Sequence, residues 1–249
     1  LFRSFEIKTA TIEGAKLEAA GGSWTYNGSA RSAAAEVKGA TGYTIYYKTG
    51  DGGWSTNVPS VTNVADGVKT VSVKATRTGY TDLVTKDVTI QITPKDAEIK
   101  VTGSWKYFDD PDPAFSGTVT GLVATNDLGT ISYRRTNADE AVGTYLKVLT
   151  ADYEANSNYN VTVVPGDFEI KTASIKDAKL EAAGGSWEYD GAAHSAQAEV
   201  LGAEGYTIYY KVGNGDWSDK APSVTNVADG VKTVSVKATR TGYADLAAE

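Results

Sequence analysis

The strongest constraint on this chain is a duplicated segment. Ser60 to Tyr80, SVTNVADGVKTVSVKATRTGY, returns without a change as Ser223 to Tyr243. Reading outward at the same spacing, residues 5–86 pair with residues 168–249 without a gap, and only about 20 of the pairs differ. The 249 residues are therefore a stretch of a tandem array, with enough material for several separate cores.

The duplicated segment has the pattern of a half-buried strand. Val71, Val73 and Ala75 alternate with polar residues, which is the two-residue period of a strand with one face in a core. Similar segments recur roughly every 10 to 14 residues, with glycine-containing turns such as Gly21-Gly22 between them and no helical pattern. The sequence therefore predicts an all-β chain of tandem immunoglobulin-like (Ig-like) antiparallel β-sandwich domains in an extended array.

Four segments follow from the repeat. Residues 1–9 match the end of the middle segment, and they are predicted to be the closing strand of an upstream domain. Residues 10–93 are the first repeat, residues 94–172 are a shorter middle segment, and residues 173–249 are a third repeat that copies the first without its last strand. No Pro- or Ser-rich linker separates these segments, so we expect stiff joints.

Composition argues against several classes of function. The chain has no Cys and a single His, so we expect no disulfide, no thiolate nucleophile and no Cys- or His-rich metal site. Lys and Arg number 24 against 31 Asp and Glu, and the net charge of -7 disfavours nucleic acid and anionic lipid as partners. No apolar run approaches the length of a membrane helix. We expect no catalysis, no cofactor and no membrane contact in this segment.

The middle segment resembles a known family. Its similarity to the mostly-β, glycine-rich (MBG) repeats of bacterial extracellular proteins is carried by YFDDPDPAFSGTVTGLV, GTISYRR, AVGTYLKVLTADYEANSNYNVTVV and PGDFEI. The first and third repeats resemble bacterial Ig-like repeats through GYTIYYK and VTNVADGVKTVSVKATRTGY. Those families imply an extracellular stalk or adhesin on a bacterial cell, and they carry no catalytic residues that can be transferred to this chain.

The predicted function is that of a structural spacer in such a stalk, because a spacer needs only copies of a domain to gain length. The alternative is an adhesin module that binds a host glycan or matrix protein, or a non-catalytic appendage of a secreted carbohydrate-active enzyme. The expected partners are the neighbouring repeats of the same chain.

Three carboxylates form the only metal hypothesis. Asp109, Asp110 and Asp112 lie within a few residues of one another, and hard oxygen ligands of this kind suit calcium. Further acids from the same segment would have to converge on them, whereas Asp-Pro steps form turns without a metal.

Aromatic residues give the ligand candidates. Trp54 and Trp217 lie in Gly-rich loops, and Tyr46 and Tyr209 are expected to face outward beside inward isoleucines, so each pair is a glycan-binding candidate. A second set shares a Trp-x-Tyr motif and is expected to pack in the cores. Its tryptophans are Trp24, Trp105 and Trp187.

Two further side-chain hypotheses concern His194 and a crosslink. His194 replaces Arg31 of the first repeat, so we expect it to be exposed. Only the middle segment offers candidate residues for a Lys–Asn isopeptide bond. Its candidates are Lys100 and Lys106 early in the segment, with Asn156, Asn158 and Asn160 late in it.

The two ends are complementary. Phe5, Ile7 and Thr9 form one face of a strand that has no partner within the chain, and the third repeat has no counterpart of residues 87–93. An unfilled sheet edge readily accepts another strand. The sequence therefore predicts head-to-tail pairing between copies as a possible partner interaction.

Overall fold

The computed structural model describes residues 3–248, and these form strands, turns and two short 3₁₀ helices without any α-helix. The predicted all-β fold class is confirmed. The residues form two compact units. The first contains residues up to Val101 with Ser116–Tyr133 and Ala151–Val164, and the second contains Thr102–Phe115, Arg134–Thr150 and the residues from Pro165 onward.

The strands follow in chain order. The first repeat has β1 (Lys16–Ala20), β2 (Gly22–Thr25), β3 (Arg31–Ser32), β4 (Ala34–Lys38), β5 (Thr44–Thr49), β6 (Ser60–Val61), β7 (Lys69–Thr76), β8 (Leu83–Val84) and β9 (Val88–Thr93). The middle segment has β10 (Lys95–Val101), β11 (Ser104–Tyr107), β12 (Gly117–Thr120), β13 (Ser132–Arg135), β14 (Gly143–Asp152), β15 (Tyr159–Val164) and β16 (Gly166–Lys171). The third repeat has β17 (Lys179–Ala183), β18 (His194–Ser195), β19 (Gln197–Leu201), β20 (Thr207–Val212), β21 (Ser223–Val224), β22 (Val234–Thr239) and β23 (Leu246–Ala247). The 3₁₀ helices are Val64–Asp66 and Val227–Asp229.

The first repeat is built around its closing strand β9. A sheet of order β2-β9-β7-β5 carries β8 on β7, and β1-β4 and β3-β6 are separate antiparallel pairs. The closing strand runs antiparallel to β7 and parallel to β2. Alternate residues of β7 and β9 are buried, including Val71, Val73, Ile90 and Ile92, and they form one core cluster with Tyr47. The two-residue period predicted for this segment is thus the period of the core.

The middle segment contains two sheets. In the first unit, β10 pairs antiparallel with β12 and parallel with β15. The second unit holds most of a four-stranded sheet of order β11-β16-β14-β13, in which β11 and β16 are parallel. Its closing strand β16 occupies the same place as β9, between an early strand and a late antiparallel one, and it buries Phe168 and Ile170 fully.

The third repeat keeps the pairings of the first except at the closing edge. The pairs β17-β19 and β18-β21 and the sheet β20-β22-β23 reproduce their counterparts. Residues 185–188, which match β2, form no strand in this part of the described structure. In the first repeat β2 pairs only with β9, and none of the described strands of the third repeat takes the place of β9.

Some local predictions were wrong. Gly21-Gly22 is not a simple turn, because β2 starts at Gly22, and the early strand β11 was also missed. Residues 3–9 form no strand in the described structure, and Phe5 and Ile7 are 95% and 100% exposed, while their assignment to an upstream domain as its closing strand stays a prediction. Among the described residues, no strand pairs with this segment. Residues 1, 2 and 249, at the ends of the predicted segments, lie outside the described residues.

Candidate functional site

The joint between the first repeat and the middle segment is centred on Asn158. Only Pro94 separates β9 from β10. The Asn158 side chain accepts a hydrogen bond from the backbone N–H of Val64 at 2.8 Å and donates one to Oδ1 of Asn63 at 3.0 Å. Its carbonyl accepts from the backbone N–H of Lys95 at 2.9 Å. A buried amide with all these bonds fixes the first repeat to the start of β10.

The next residue, Tyr159, strengthens the same joint. Its ring packs edge to face against Tyr26 of the first repeat, with centroids 5.4 Å apart. Its hydroxyl accepts from the backbone N–H of Val123 at 2.8 Å and donates to the Asp127 carboxylate. Burial and the neighbouring Asp127 raise the pKa of Tyr159 to about 12. The phenol is therefore held neutral at any physiological pH.

The joint between the middle segment and the third repeat is centred on Tyr243. Just after β16, Ala173 forms a parallel bridge with Tyr243, and its N–H donates to the Gly242 carbonyl at 3.0 Å. The Tyr243 hydroxyl donates to Asp109 at 2.6 Å, which raises the pKa of Tyr243, and its ring packs edge to face on Phe108 at 5.6 Å. A Cβ at Gly242 would lie 2.3 Å from the Phe108 ring, so only glycine permits this approach.

The three predicted calcium ligands do not converge. Asp109 is engaged with Tyr243, and Asp112 lies 3.0 Å from the Lys106 ammonium and 3.0 Å from Nε of Arg135. Within residues 3–248, no group of three acidic or histidine side chains has the arrangement of a metal site. The geometry gives the calcium hypothesis no support.

The buried cation Lys106 is the centre of an ion-pair cluster. Burial disfavours its charged form, but the bonds to Glu140 and Asp112 outweigh that effect and raise the pKa of Lys106. Hydrogen bonds from Lys106 and Arg135 in turn lower the pKa of Glu140. A protonated lysine is not a nucleophile, so this environment opposes the proposed isopeptide bond from Lys106.

The other isopeptide candidates are also engaged or exposed. Lys100 is exposed on β10. The asparagine amides are used in hydrogen bonds, from Asn156 to the Asp127 carbonyl at 3.0 Å and from Asn160 to Asp96 at 3.3 Å. Asn158 is the joint residue described above.

The loop residue Trp54 and the strand residue Tyr46 share one lysine. The Lys74 ammonium lies 4.7 Å from the centroid of the Trp54 ring and 5.9 Å from that of Tyr46. Lys48 also lies 5.6 Å from the Trp54 centroid. Cation–π attraction therefore holds the loop tryptophan against the strand face, while 40% of its residue surface stays accessible.

The third repeat reproduces this aromatic cluster. Lys237 lies 4.8 Å from the Trp217 ring centroid and 5.9 Å from that of Tyr209, and Lys211 lies 5.1 Å from Trp217. Each predicted Trp and Tyr pair is therefore brought together by a cross-strand lysine that sequence reasoning had not singled out. The alternation of Lys74 with Val73 and Ala75 was the available signal, because it places the lysine on the outer face.

The Trp-x-Tyr motif does not have one role, contrary to the core prediction. Trp24 and Tyr26 pack against the core of the first repeat. In the middle segment the motif faces the opposite side of its strand. Trp105 and Tyr107 are exposed and pack edge to face with ring centroids 5.2 Å apart, and Lys106 between them is buried. Adjacent residues of a strand face opposite sides, and the buried ion pairs of Lys106 select its side.

The third copy of the motif contacts His194 through its tryptophan. The Trp187 ring stacks on the imidazole with centroids 4.8 Å apart, and Nε2 of His194 lies 3.0 Å from Asp190. The backbone N–H of Ala192 and the imidazole lower the pKa of Asp190. His194 is half-buried rather than exposed, because the aromatic ring covers one of its faces.

An open cleft lies in the third repeat, between residues 182–190 and the segments 222–227 and 230–236. Its volume is about 550 Å³. Its apolar lining includes Trp187, Val224, Val227, Val231, Val234 and Val236. Val227 is 87% exposed, whereas its counterpart Val64 packs on the core of the first repeat.

The comparisons with known proteins agree with part of this description. Residues 90–169 match the family model described as MBG domain (YGX type). The MBG resemblance of the middle segment is confirmed. No curated protein matches the chain. Among solved structures, extracellular domains 3–5 of Drosophila OTK align with 98% of this chain and 99% of that chain at 8% identity, with a TM-score of 0.24.

Helices that could cross a membrane are absent from the described part of the chain.

Proposed function

We propose that this chain is a non-catalytic spacer segment of a stalk or adhesin on the surface of a bacterial cell. The observation that carries the proposal is the structure of the two joints. At each one, a closing strand passes into the next domain within one or two residues, and side-chain hydrogen bonds tie the two sides together.

Joints that are held by side-chain contacts suit a spacer that has to carry mechanical force. A flexible linker keeps its backbone in water, whereas here the joint residue Asn158 is buried and Tyr243 is held by both a hydrogen bond and a ring contact. Duplication adds a second argument, because near-identical domains supply length without a specialised surface. The MBG match supports an extracellular surface location for the middle segment.

Spin-label distances test the stiffness of each joint. The chain contains no Cys, so labels react only at introduced sites. The pair Asn57→Cys with Thr118→Cys spans the first joint, and the pair Thr144→Cys with Asp219→Cys spans the second; all four positions are exposed. We expect one narrow distance distribution for each pair by pulsed electron paramagnetic resonance.

The matched control loosens one joint at a time. Asn158→Ala removes the side-chain bonds to Asn63 and Val64 and should broaden only the first distribution. Tyr243→Ala removes the bond to Asp109 and the contact with Phe108 and should broaden only the second. A broad distribution in the unmodified joints would contradict the spacer proposal, since it would describe domains on flexible tethers.

Glycan binding is the second candidate, because both flanking repeats hold a partly exposed tryptophan on the same outer face. Trp54 with Tyr46 and Trp217 with Tyr209 offer aromatic surface next to lysine donors. A sugar would stack on such a ring and would take hydrogen bonds from the ammonium groups.

A glycan array separates the two functions. The full chain is compared with the double variant Trp54→Ala and Trp217→Ala, and with Trp105→Ala as a control for a different exposed ring. Binding that the double variant loses and the control keeps would establish the adhesin reading. Absence of binding by the unmodified chain leaves the spacer proposal in place and rejects the glycan candidate for the glycans tested.

A further inference from the structure

The sheets that carry the aromatic clusters of the flanking repeats have no acidic residue on their strands. β2, β5, β7, β8 and β9 contain neither Asp nor Glu, although the chain has 31 acidic residues. β20, β22 and β23 of the third repeat also lack both residues. All charged residues on these strands are therefore lysines, in a chain whose net charge is -7.

Two lysines of the first repeat converge on one indole ring. The backbone of Ser55 exchanges two hydrogen bonds with Tyr47, at 2.7 and 3.0 Å, which holds the neighbouring Trp54 at the edge of β5. The ammonium groups of Lys48 and Lys74 lie 5.6 and 4.7 Å from the centroid of its ring. Both distances are within the range of about 6 Å in which a cation is attracted to an aromatic face.

These ammonium groups have no counter-ion on the protein. Among the described residues, Lys48 and Lys74 form no ion pair with a carboxylate, and neither do their counterparts Lys211 and Lys237. The rings leave room for a ligand, because 40% and 39% of the two loop tryptophans stay accessible. Each flanking repeat thus presents an accessible aromatic surface next to two positive charges that are not neutralised.

The middle segment shows the contrasting case, in which the charge beside an exposed tryptophan is neutralised. The Lys171 ammonium lies 4.1 Å from the centroid of the Trp105 ring, and it also lies 3.6 Å from the Glu169 carboxylate. A lysine on an exposed tryptophan is therefore common to all three domains. The flanking repeats differ in that the cation beside the ring has no carboxylate partner.

The two loops of the flanking repeats have diverged around the cluster but not within it. Residues 49–58 and 212–221 differ at six of ten positions, more than any other stretch of ten residues in the duplication. The tryptophan of the loop is nevertheless the same in both, and so are the lysines at positions 48 and 74 and their counterparts. The loop thus tolerates substitution, whereas the indole and the two ammonium groups stay together.

We propose that the aromatic cluster of each flanking repeat binds an anionic sugar. The cluster residues are Tyr46, Lys48, Trp54 and Lys74 in the first repeat and Tyr209, Lys211, Trp217 and Lys237 in the third. This proposal rests on the glycan candidate above and names its chemical class. The face of a sugar ring stacks on the indole, and a carboxylate or sulfate group accepts hydrogen bonds from the ammonium groups. A neutral sugar leaves both charges without a partner.

The test is calorimetric titration of the full chain with a tetrasaccharide of alternating glucuronic acid and N-acetylglucosamine. We expect two sites of similar affinity per chain, and weaker binding as NaCl is raised, because salt screens the attraction between ammonium and carboxylate. The carboxyl-reduced tetrasaccharide, in which glucose replaces each glucuronic acid, should bind about tenfold more weakly or less. Equal binding by the reduced form would overturn the proposal and leave the glycan candidate standing.

A sulfated probe separates the two sources of negative charge. The carboxyl-reduced tetrasaccharide is O-sulfated, so that the charge returns on the same sugar skeleton as sulfate. Binding of either charged probe supports the anionic-sugar sites, and the tighter of the two identifies the acid. Failure of both charged probes to bind would overturn the proposal. The spin-label distances across the joints do not depend on these lysines, so the spacer proposal is judged separately.

Matched variants locate the sites. Lys74→Gln should leave one site, and Lys74→Gln combined with Lys237→Gln should weaken binding at both sites by about tenfold or more. Lys74→Arg keeps the charge beside the ring and should keep two sites. The control Lys171→Gln removes the neutralised cation from the Trp105 ring and should leave both sites unchanged. Unchanged binding by the double variant, or an equal loss in the control, would overturn the assignment.

Discussion

Gly21 and Gly184 form a natural matched pair, and Gly21→Ala should destabilise the first repeat although Gly184→Ala should not destabilise the third. The two glycines occupy the same position of nearly identical domains, and β9 passes beside Gly21 whereas no described residue lies beside an added Cβ at Gly184. In the first repeat the new methyl carbon would lie 2.1 Å from the carbonyl oxygen and 2.9 Å from the carbonyl carbon of Thr89. Both atoms are backbone, so β9 itself has to move.

The magnitude follows from two opposing effects. Forcing an extra methyl group into a packed site typically costs about 1–3 kcal/mol. Replacement of glycine by alanine restricts the unfolded chain and returns about 0.4–1 kcal/mol. The net loss for Gly21→Ala is therefore about 1–2 kcal/mol, whereas Gly184→Ala retains only the favourable effect of up to about 1 kcal/mol.

Native-state hydrogen exchange measures both effects in the intact chain, because it reports the opening free energy of each strand separately. Amides of β7 and β9 should lose protection in Gly21→Ala, and amides of β20 and β22 should keep or gain it in Gly184→Ala. Equal losses at the two positions would refute the reasoning, since the clash with β9 would then not be the cause.

Three further predictions concern the core, the acid range and the alkaline range. Val71→Asp should unfold the first repeat and leave the third intact in limited proteolysis, because Val71 is fully buried and an unpaired carboxylate there costs several kcal/mol; loss of both repeats together would contradict separate cores. Asp66 accepts bonds from the backbone N–H groups of Asn63 and Thr62, which lower its pKa, so its stabilising effect is present above its unfolded pKa of about 3.9 and is lost as the pH falls below it. Asp66→Asn should therefore reduce the acid sensitivity of the first repeat in pH-dependent thermal unfolding, and an unchanged pH profile would reject this role. The pKa of Tyr159 is raised to about 12, so the stability it gives is complete below its unfolded pKa of about 10 and falls as the pH rises towards 12. Tyr159→Phe should flatten the alkaline limb of the stability curve, and a limb of the same steepness would show that other groups set it.

The strand pattern was predictable because it depends on short-range alternation. Val71, Val73 and Ala75 have the predicted spacing, and all three are buried in β7. The early strands β2 and β11 were not predictable, because each forms only by pairing with a closing strand that lies far along the sequence. Each has only four residues, which is too short for an alternating pattern to stand out in the sequence.

The sequence also could not predict which side of its strand the Trp-x-Tyr motif faces. GSWTY and GSWKY look alike, yet Trp24 faces a core and Trp105 faces solvent. The difference comes from Lys106, whose partners Asp112 and Glu140 arrive from two separate loops. Only the three-dimensional structure shows that these charges meet, and that Asp112 and Asp109 are engaged with Lys106 and Tyr243.

Small-angle X-ray scattering of the full chain tests the central claim most directly. If each predicted sandwich is roughly 40 Å long, from strands of about 7 residues at about 3.3 Å each and their end loops, the proposed spacer of three domains is a rod of about 120 Å. The spacer account predicts a radius of gyration of about 35 Å for such a rod, against about 18 Å for a compact globule of this length. A value near 20 Å would contradict the account, because the proposed spacer gains its length only from domains that stand in line.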